Sequence, residues 1–170
     1  MEADTIASQL EPQIPALRRY AYALVRHHDE ADDLVQDCLE RALSRWYLKR
    51  LDGDLRAWLF TILRNLYITT YRSRVRRGTH VGIDEAVSLG TPATQETGLE
   101  ARDALAALDQ LTEEHKSILL LIGVEDLSYE EAARVLGVPA GTIMSRLSRA
   151  RQRLRTIMET GRVTFLRRVK

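Results

Sequence analysis

Cysteine is almost missing from this chain. Of 170 residues one is a cysteine, Cys38, so no intramolecular disulfide can form and no Cys cluster is on hand for zinc. Cys38 falls in an apolar-periodic run and reads as a small core residue rather than a redox centre. Proline is also scarce, with four in all, and no strongly alternating strand pattern breaks the long uninterrupted stretches. An almost wholly helical chain is expected. Long apolar runs are lacking too: SILLLIGV (Ser117–Val124) is far too short to span a bilayer, so no membrane insertion is expected. The N-terminus, MEADTIASQL, does not have the basic-then-apolar layout of a signal peptide, which points to the cytoplasm. His27, His28, His80 and His115 are scattered without ligand spacing, and no nucleophile motif or phosphate-cradling glycine loop appears. Neither enzymatic chemistry nor a metal or cofactor is expected.

What the chain does have is segregated charge. The net formal charge is +1, yet Asp29, Glu30, Asp32, Asp33, Asp37 and Glu40 follow one another with no base between them. Arg56, Arg64, Arg72, Arg74, Arg76 and Arg77 then come with no acid between them. Asp84 to Glu131 is again acidic, relieved by Arg102 and Lys116, and beyond Arg134 the sole acid is Glu159 among many arginines. Two basic blocks, each preceded by an acidic one, suggest two modules built to meet polyanions.

Periodicity places a first helix at about 16–26. A second follows at 30–49, N-capped by Asp29, with Ala31, Leu34, Val35, Cys38, Leu39 and Ala42 at helical spacing. Leu51–Asp54 reads as a turn, and a third long helix runs over 55–76. The Gly- and Thr-rich stretch 78–98 reads as a flexible linker. Further helices are expected at 99–110, 112–123, 129–136 and 140–160, followed by a tail, 161–170, whose order the pattern does not predict. The fold class is therefore all-α: small helical domains at 1–77 and 99–160, each with so small a core that mutual or partner contacts should matter.

The second domain contains LSYEEAARVLGVPAGTIMSRLSRARQRLR, Leu127 to Arg155. Ser128 and Glu131 form a capping box that starts a helix at Tyr129. Gly137 ends it, Val138 plugs the junction, and Pro139 suits the start of the next helix. Ala133 and Gly137, four apart, should let the helices cross closely. This is a helix-turn-helix layout. On the second helix Ile143, Leu147, Ala150, Leu154 and Ile157 share an inward arc at about 100° per residue. Thr142, Ser145, Arg146, Arg149 and Arg153 fall on another, fitted to a major groove: arginine can grip guanine and hydroxyls can hold phosphates.

On the third helix Leu59, Ile62, Leu63 and Leu66 form a core stripe. Phe60, Arg64, Tyr67, Tyr71 and Arg74 recur on a second stripe of aromatics and bases, which could stack on unpaired bases and follow phosphates. Such a stripe is more often simply core. Asp33, Gln36 and Asp37 share a face of the acidic helix, suited to helix-dipole stabilisation or to docking a basic protein surface.

The blocks DEADDLVQDCLERAL, LRAWLFTILRNLYITTYRSRVRR and LDQLTEEHKSILLLIGVEDLSYEEAARVLGVPAGTIMSRLSRARQRLR stand in an order that resembles bacterial sigma factors of the extracytoplasmic-function (ECF) class. The wording looks closest to alphaproteobacterial stress-response members. The resemblance implies that the first domain recognises and melts the −10 promoter element and the second reads the −35 element. It implies that Asp33, Gln36 and Asp37 bind the β′ clamp helices of core RNA polymerase, with a further contact to the β flap. It implies −10 contacts from Arg56, Trp58, Phe60, Arg64, Asn65, Tyr67, Tyr71, Arg72 and Arg74, with the loop around 51–56 helping to hold a flipped base. An anti-sigma factor as regulator and a monomer when free are also implied. Thr69 departs from the Asp or Asn of many relatives, and Pro139 from their Ser. Two rival readings are a stand-alone helix-turn-helix regulator and a sigma mimic that sequesters an anti-sigma protein. The first leaves ADDLVQD without a role, and the second leaves the arginine row without one.

Overall fold

The computed structural model describes residues 2–49, 53–77 and 95–168; side chains at 2–3, 71, 72, 75, 95–97 and 162–168 are not described. Its helices are α1 (Glu2–Leu10), α2 (Ile14–Val25), α3 (His28–Ser44), α4 (Leu55–Arg77), α5 (Gln95–Asp109), α6 (Glu113–Leu119), α7 (Tyr129–Leu136) and α8 (Ala140–Arg168). Short 3-10 turns lie at Glu11–Gln13 and Trp46–Leu48, and a π-helical turn at Leu120–Val124 follows α6. No strand occurs among the described residues.

The α2 sequence IPALRRYAYALV is apolar on most of its faces, and Ala16, Leu17, Tyr20, Ala21, Tyr22, Ala23 and Leu24 are all buried. A helix of that kind needs neighbours all round. It packs against α3, α4 and the π-helical turn. α3 contributes Ala31, Leu34, Val35, Cys38 and Ala42, the spacing read from sequence. Burial pushes the Cys38 thiol up to about 12, and its Sγ donates to the carbonyl of Leu59 on α4 at 3.4 Å.

Several boundaries differ from the sequence expectation for physical reasons. The N-cap of α3 is His27, whose ring nitrogen accepts from the Glu30 amide at 3.4 Å. His27 is extended while Asp29 already lies within the helix, so Asp29 is a first-turn acid facing the dipole rather than the cap. α3 ends at Ser44, short of Lys49, because Trp46–Leu48 tightens into a 3-10 turn. The unexpected α1 is anchored by buried Leu10 and by Lys49, which donates to the Gln9 side chain at 2.9 Å. α5 begins at Gln95, so the last residues of the expected linker are helical, while 78–94 lies outside the described residues. α8 continues to Arg168, well into the segment read as a tail.

The last part of the expected 112–123 helix changes character. The Glu125 amide donates to the Leu120 carbonyl at 3.0 Å and the Leu127 amide to Leu121 at 2.9 Å, wider steps than an α-helix allows. Asp126 then adopts a left-handed conformation, φ 55°. This geometry turns Glu125 inward, to 2% exposure.

The two helical groups are not separate bodies. Buried residues of α2, α3 and α4 form one continuous apolar cluster with Ile118, Leu120, Leu121, Leu127, Val135, Ile143 and Leu147. α4 packs against α7 as well as against α2 and α3.

Candidate nucleic-acid interface

The helix-turn-helix forms as its residues dictate. The Glu131 amide donates to Ser128 Oγ at 3.1 Å and the Ser128 amide to Glu131 Oε2 at 2.6 Å, a complete capping box. Gly137 takes φ 66°, and Val138 donates to the Ala133 carbonyl at 3.1 Å to close the turn. One expectation fails here. A Cβ on Gly137 would meet nothing within 4 Å, so this glycine serves the left-handed turn and not a close helix crossing.

On α8 Ile143, Leu147 and Ala150 are fully buried, with Leu154 and Ile157 half-buried behind them. That fixes the outward arc. Ser145, Arg149 and Arg153 are exposed, and Thr142 and Arg146 half-buried. Arg146 is tied to Glu114 of α6. Ser145 donates its hydroxyl to the Thr142 carbonyl at 3.0 Å. Arg149 and Arg153 border an open groove of about 430 Å³ shared with Thr112, His115, Gln152 and Thr156. This side of the molecule is a cationic helix face open to solvent.

On α3 Asp33, Gln36 and Asp37 are all exposed, and Gln36 donates to Glu40 Oε1 at 3.2 Å. The acid–amide face expected from spacing therefore exists and is uncovered.

The α4 stripe is different. Phe60 is 1% exposed and meets the Tyr20 ring edge-on at 5.2 Å, so it is core here and offers no face to a base. α4 is apolar nearly all round and is covered on two sides, which is why the stripe does not form a free surface. Trp58 is half-buried, edge-on to Trp46 at 6.2 Å. Tyr67 is half-buried against the core, and Asn65 is exposed. The side chains of Tyr71 and Arg72 lie outside those described. Beside the α4 N-terminus a depression of about 260 Å³ is bordered by Gly53, Asp54, Trp58, Thr61 and Arg134. Asp54 caps this helix by accepting from the Arg56 amide at 2.9 Å. A side-chain hydrogen bond with Glu131, then the backbone amides of Ala57 and Arg56, hold its carboxyl below the usual carboxylate range.

The described α4 arginines on the stripe are paired. Arg74 meets Glu30 at 2.7 Å and Arg64 meets Glu113 at 3.1 Å. Arg56 donates to Glu125 Oε2 at 3.0 Å and to its carbonyl at 2.6 Å. Arg19 completes the pairing, donating from Nε and Nη2 to the same carboxylate at 3.1 and 3.0 Å. Below them, Tyr20 donates to Ser117 at 3.1 Å and Ser117 donates to Glu113 at 2.7 Å. Burial pushes the Tyr20 phenol above its ordinary range, so it remains a donor. Arg26, left-handed at φ 58°, reaches Asp109 at 3.1 Å, and Lys116 meets the same carboxylate at 2.8 Å. The sequence pattern gave no site role to Arg19, Glu125, Ser117 or Asp109. The one available signal was that the basic block 56–77 and the acidic block 84–131 are complementary.

Residues 10–64 match the family model described as the sigma2 domain of PhyR, and residues 101–154 the model for sigma-70, region 4. An ECF RNA polymerase sigma factor, EcfG of Rhodopseudomonas palustris, is 39% identical over 155 residues, covering 91% of this chain and 86% of the relative. The chain belongs to the ECF RNA polymerase sigma factors. RNA polymerase sigma factor YlaC of Bacillus subtilis is 29% identical over 164 residues, covering 94% of this chain and 95% of that one. The sigma factor RpoE of Bartonella quintana, solved with the anti-sigma factor NepR, superposes with a TM-score of 0.77 at 35% identity. That match covers 89% of this chain and 95% of the other. The all-α ECF sigma fold and the role of a promoter-specific transcription initiation factor follow from the family. Among the described residues no helix is long and apolar enough to cross a membrane, and no cluster of metal-binding side chains occurs.

Proposed function

We propose that this sigma factor divides promoter recognition between residues 1–77, which engage and open the −10 element, and residues 99–160, which read the −35 element. The single observation that carries the −35 assignment is the solvent-facing row Ser145, Arg149 and Arg153 on an intact helix-turn-helix, joined by Thr142 and Arg146. Arg149 and Arg153 are the base or phosphate contacts, and the hydroxyls hold phosphate. Asp33, Gln36 and Asp37 dock on the β′ clamp helices of core polymerase, a role supported by their exposure on one helix face. Arg56, Trp58, Arg64, Asn65, Tyr67 and Arg74, with Tyr71 and Arg72, serve the opened −10 strand, and Phe60 supports them from the core. The depression beside Trp58 is the candidate seat of an extruded base. The protein acts in the cytoplasm, performs no catalysis of its own and answers to an anti-sigma factor. For the last point the support is the likeness to a sigma factor solved with NepR.

Reconstitution with core RNA polymerase, followed by sequencing of transcript 5′ ends, tests this reading. The expected result is initiation at a small set of sites sharing two sequence blocks at fixed spacing. Initiation no different from core polymerase alone would refute it.

A further inference from the structure

Among the described residues, ion pairs between the helices before residue 78 and those after residue 94 all run one way. The first group supplies Arg19, Arg26, Arg56 and Arg64, and the second supplies Glu125, Asp109 and Glu113. Two of these arginines, Arg56 and Arg64, sit on the face assigned to the −10 strand. A carboxylate held by guanidinium forks presents the same paired oxygens as a backbone phosphate. The acidic segment that follows the linker therefore occupies the positions that nucleic-acid phosphates would take.

Glu125 is the centre of this arrangement. Its side chain is 1% exposed, and a buried carboxylate is tolerated only where cations and donors surround it. Both of its cations, Arg19 and Arg56, come from the other helical group, so separation of the groups leaves Glu125 hydrated and frees Arg56. The π-helical turn and left-handed Asp126 turn its side chain inward. Outside this contact the closed arrangement hides little that is functional. The α3 acid–amide face and the α8 arginines Arg149 and Arg153 remain exposed.

We infer that Glu125, assisted by Asp109 and Glu113, is a latch that closes the second helical group over the first and masks its strand-binding arginines with phosphate-mimicking carboxylates. This rests on the assignment of α4 to the −10 strand. A closed state populated in excess lowers apparent strand affinity by the fraction that is open. All four pairs keep a partly exposed partner and weaken with added salt; the Glu125 carboxylate is the one fully buried partner among them.

The test uses the full chain, Glu125→Gln and Arg19→Gln, the last lying outside the proposed DNA surface. Small-angle X-ray scattering reads closure. Anisotropy of a fluorescein-labelled, mixed-sequence single-stranded DNA reads unmasking, and circular dichroism confirms helicity. Glu125→Gln is expected to expand the particle and tighten strand binding about tenfold. Arg19→Gln, which leaves Arg56 on the carboxylate, should do the same to a smaller extent. Helical variants with wild-type dimensions and wild-type strand affinity would overturn the latch. Expansion without tighter strand binding would uphold closure by Glu125 and overturn the assignment of α4 as the strand surface.

Discussion

α4 and α8 are both long, arginine-bearing helices, and they end in opposite situations. On α4 the stripe arginines Arg64 and Arg74, and Arg56 one turn before Phe60, each meet a carboxylate, and Phe60 is core. Among the described residues of α8, Arg149 and Arg153 are exposed with no ion pair, and Arg146 alone of the arginines is held, by Glu114. The difference comes from the apolar residues. α8 has one apolar arc, Ile143–Leu147–Ala150, so its opposite side must face water. α4 has apolar residues on nearly every side, so it is covered by α2, α3 and α7, and its arginines come within reach of Glu30, Glu113 and Glu125. A basic face is accessible only where the same helix leaves one side without hydrophobic demand.

The sharpest challenge to this comparison is to the shared core. Leu63→Ala in α4 and Leu147→Ala in α8 remove side chains that are 0% and 2% exposed. Each is expected to cost about 2–5 kcal/mol in urea unfolding. With one continuous cluster, both substitutions should shift a single transition; two transitions, each moved by only one of them, would show that the groups unfold independently.

Next in size is the accessible face itself. Arg149→Ala should weaken binding to a −35 duplex by about 1–3 kcal/mol and relax its sequence preference. Arg64→Ala, on the covered face, should leave duplex affinity of the free chain unchanged. Equal losses from both would erase the contrast between the helices. The third exposed surface is α3. Asp33→Ala combined with Asp37→Ala should weaken holoenzyme formation about tenfold, roughly 1.4 kcal/mol. The melting temperature should stay put because both acids face solvent. Normal affinity for core polymerase would remove this face from the docking surface.

Smaller is the effect of the helix-turn-helix cap. Ser128→Ala should cost about 1 kcal/mol by thermal denaturation, without altering which bases are preferred. The smallest functional effect belongs to Cys38, whose labelling reads opening of the first helical group alone. With its thiol raised to about 12 by burial, iodoacetamide at pH 8 should label the native chain about a thousandfold more slowly than the unfolded one. The raised value favours the neutral thiol in the fold. Its contribution to stability is thus intact below about pH 9 and fades as pH climbs toward 12. Native labelling as fast as unfolded labelling would mean that this core is not closed.

Much of the site was legible because it depends on local periodicity. The inward arc of α8, the capping box at Ser128 and the face shared by Asp33, Gln36 and Asp37 need only helical spacing, and all appear at the expected residues. Phe60 was not legible in the same way. Its spacing fits both an aromatic DNA stripe and a core position, and only the covering of α4 by α2 and α7 separates them. Asp29 and His27 illustrate a finer limit. Either can accept an amide hydrogen bond, and a shift of two residues in the helix start decides between them.

The amino-acid order by itself settled that the chain is helical, that its charges are blocked into complementary segments, and that it carries a helix-turn-helix of a known family. These follow from backbone propensity, spacing and capping, which act within a few residues. Tertiary structure alone decided which acids meet which bases. Glu125 lies 69 residues from Arg56 and 106 from Arg19, and no local rule links positions so far apart. Their meeting goes with an apolar cluster shared by both helical groups, which sets the helices side by side at the distance the charges need.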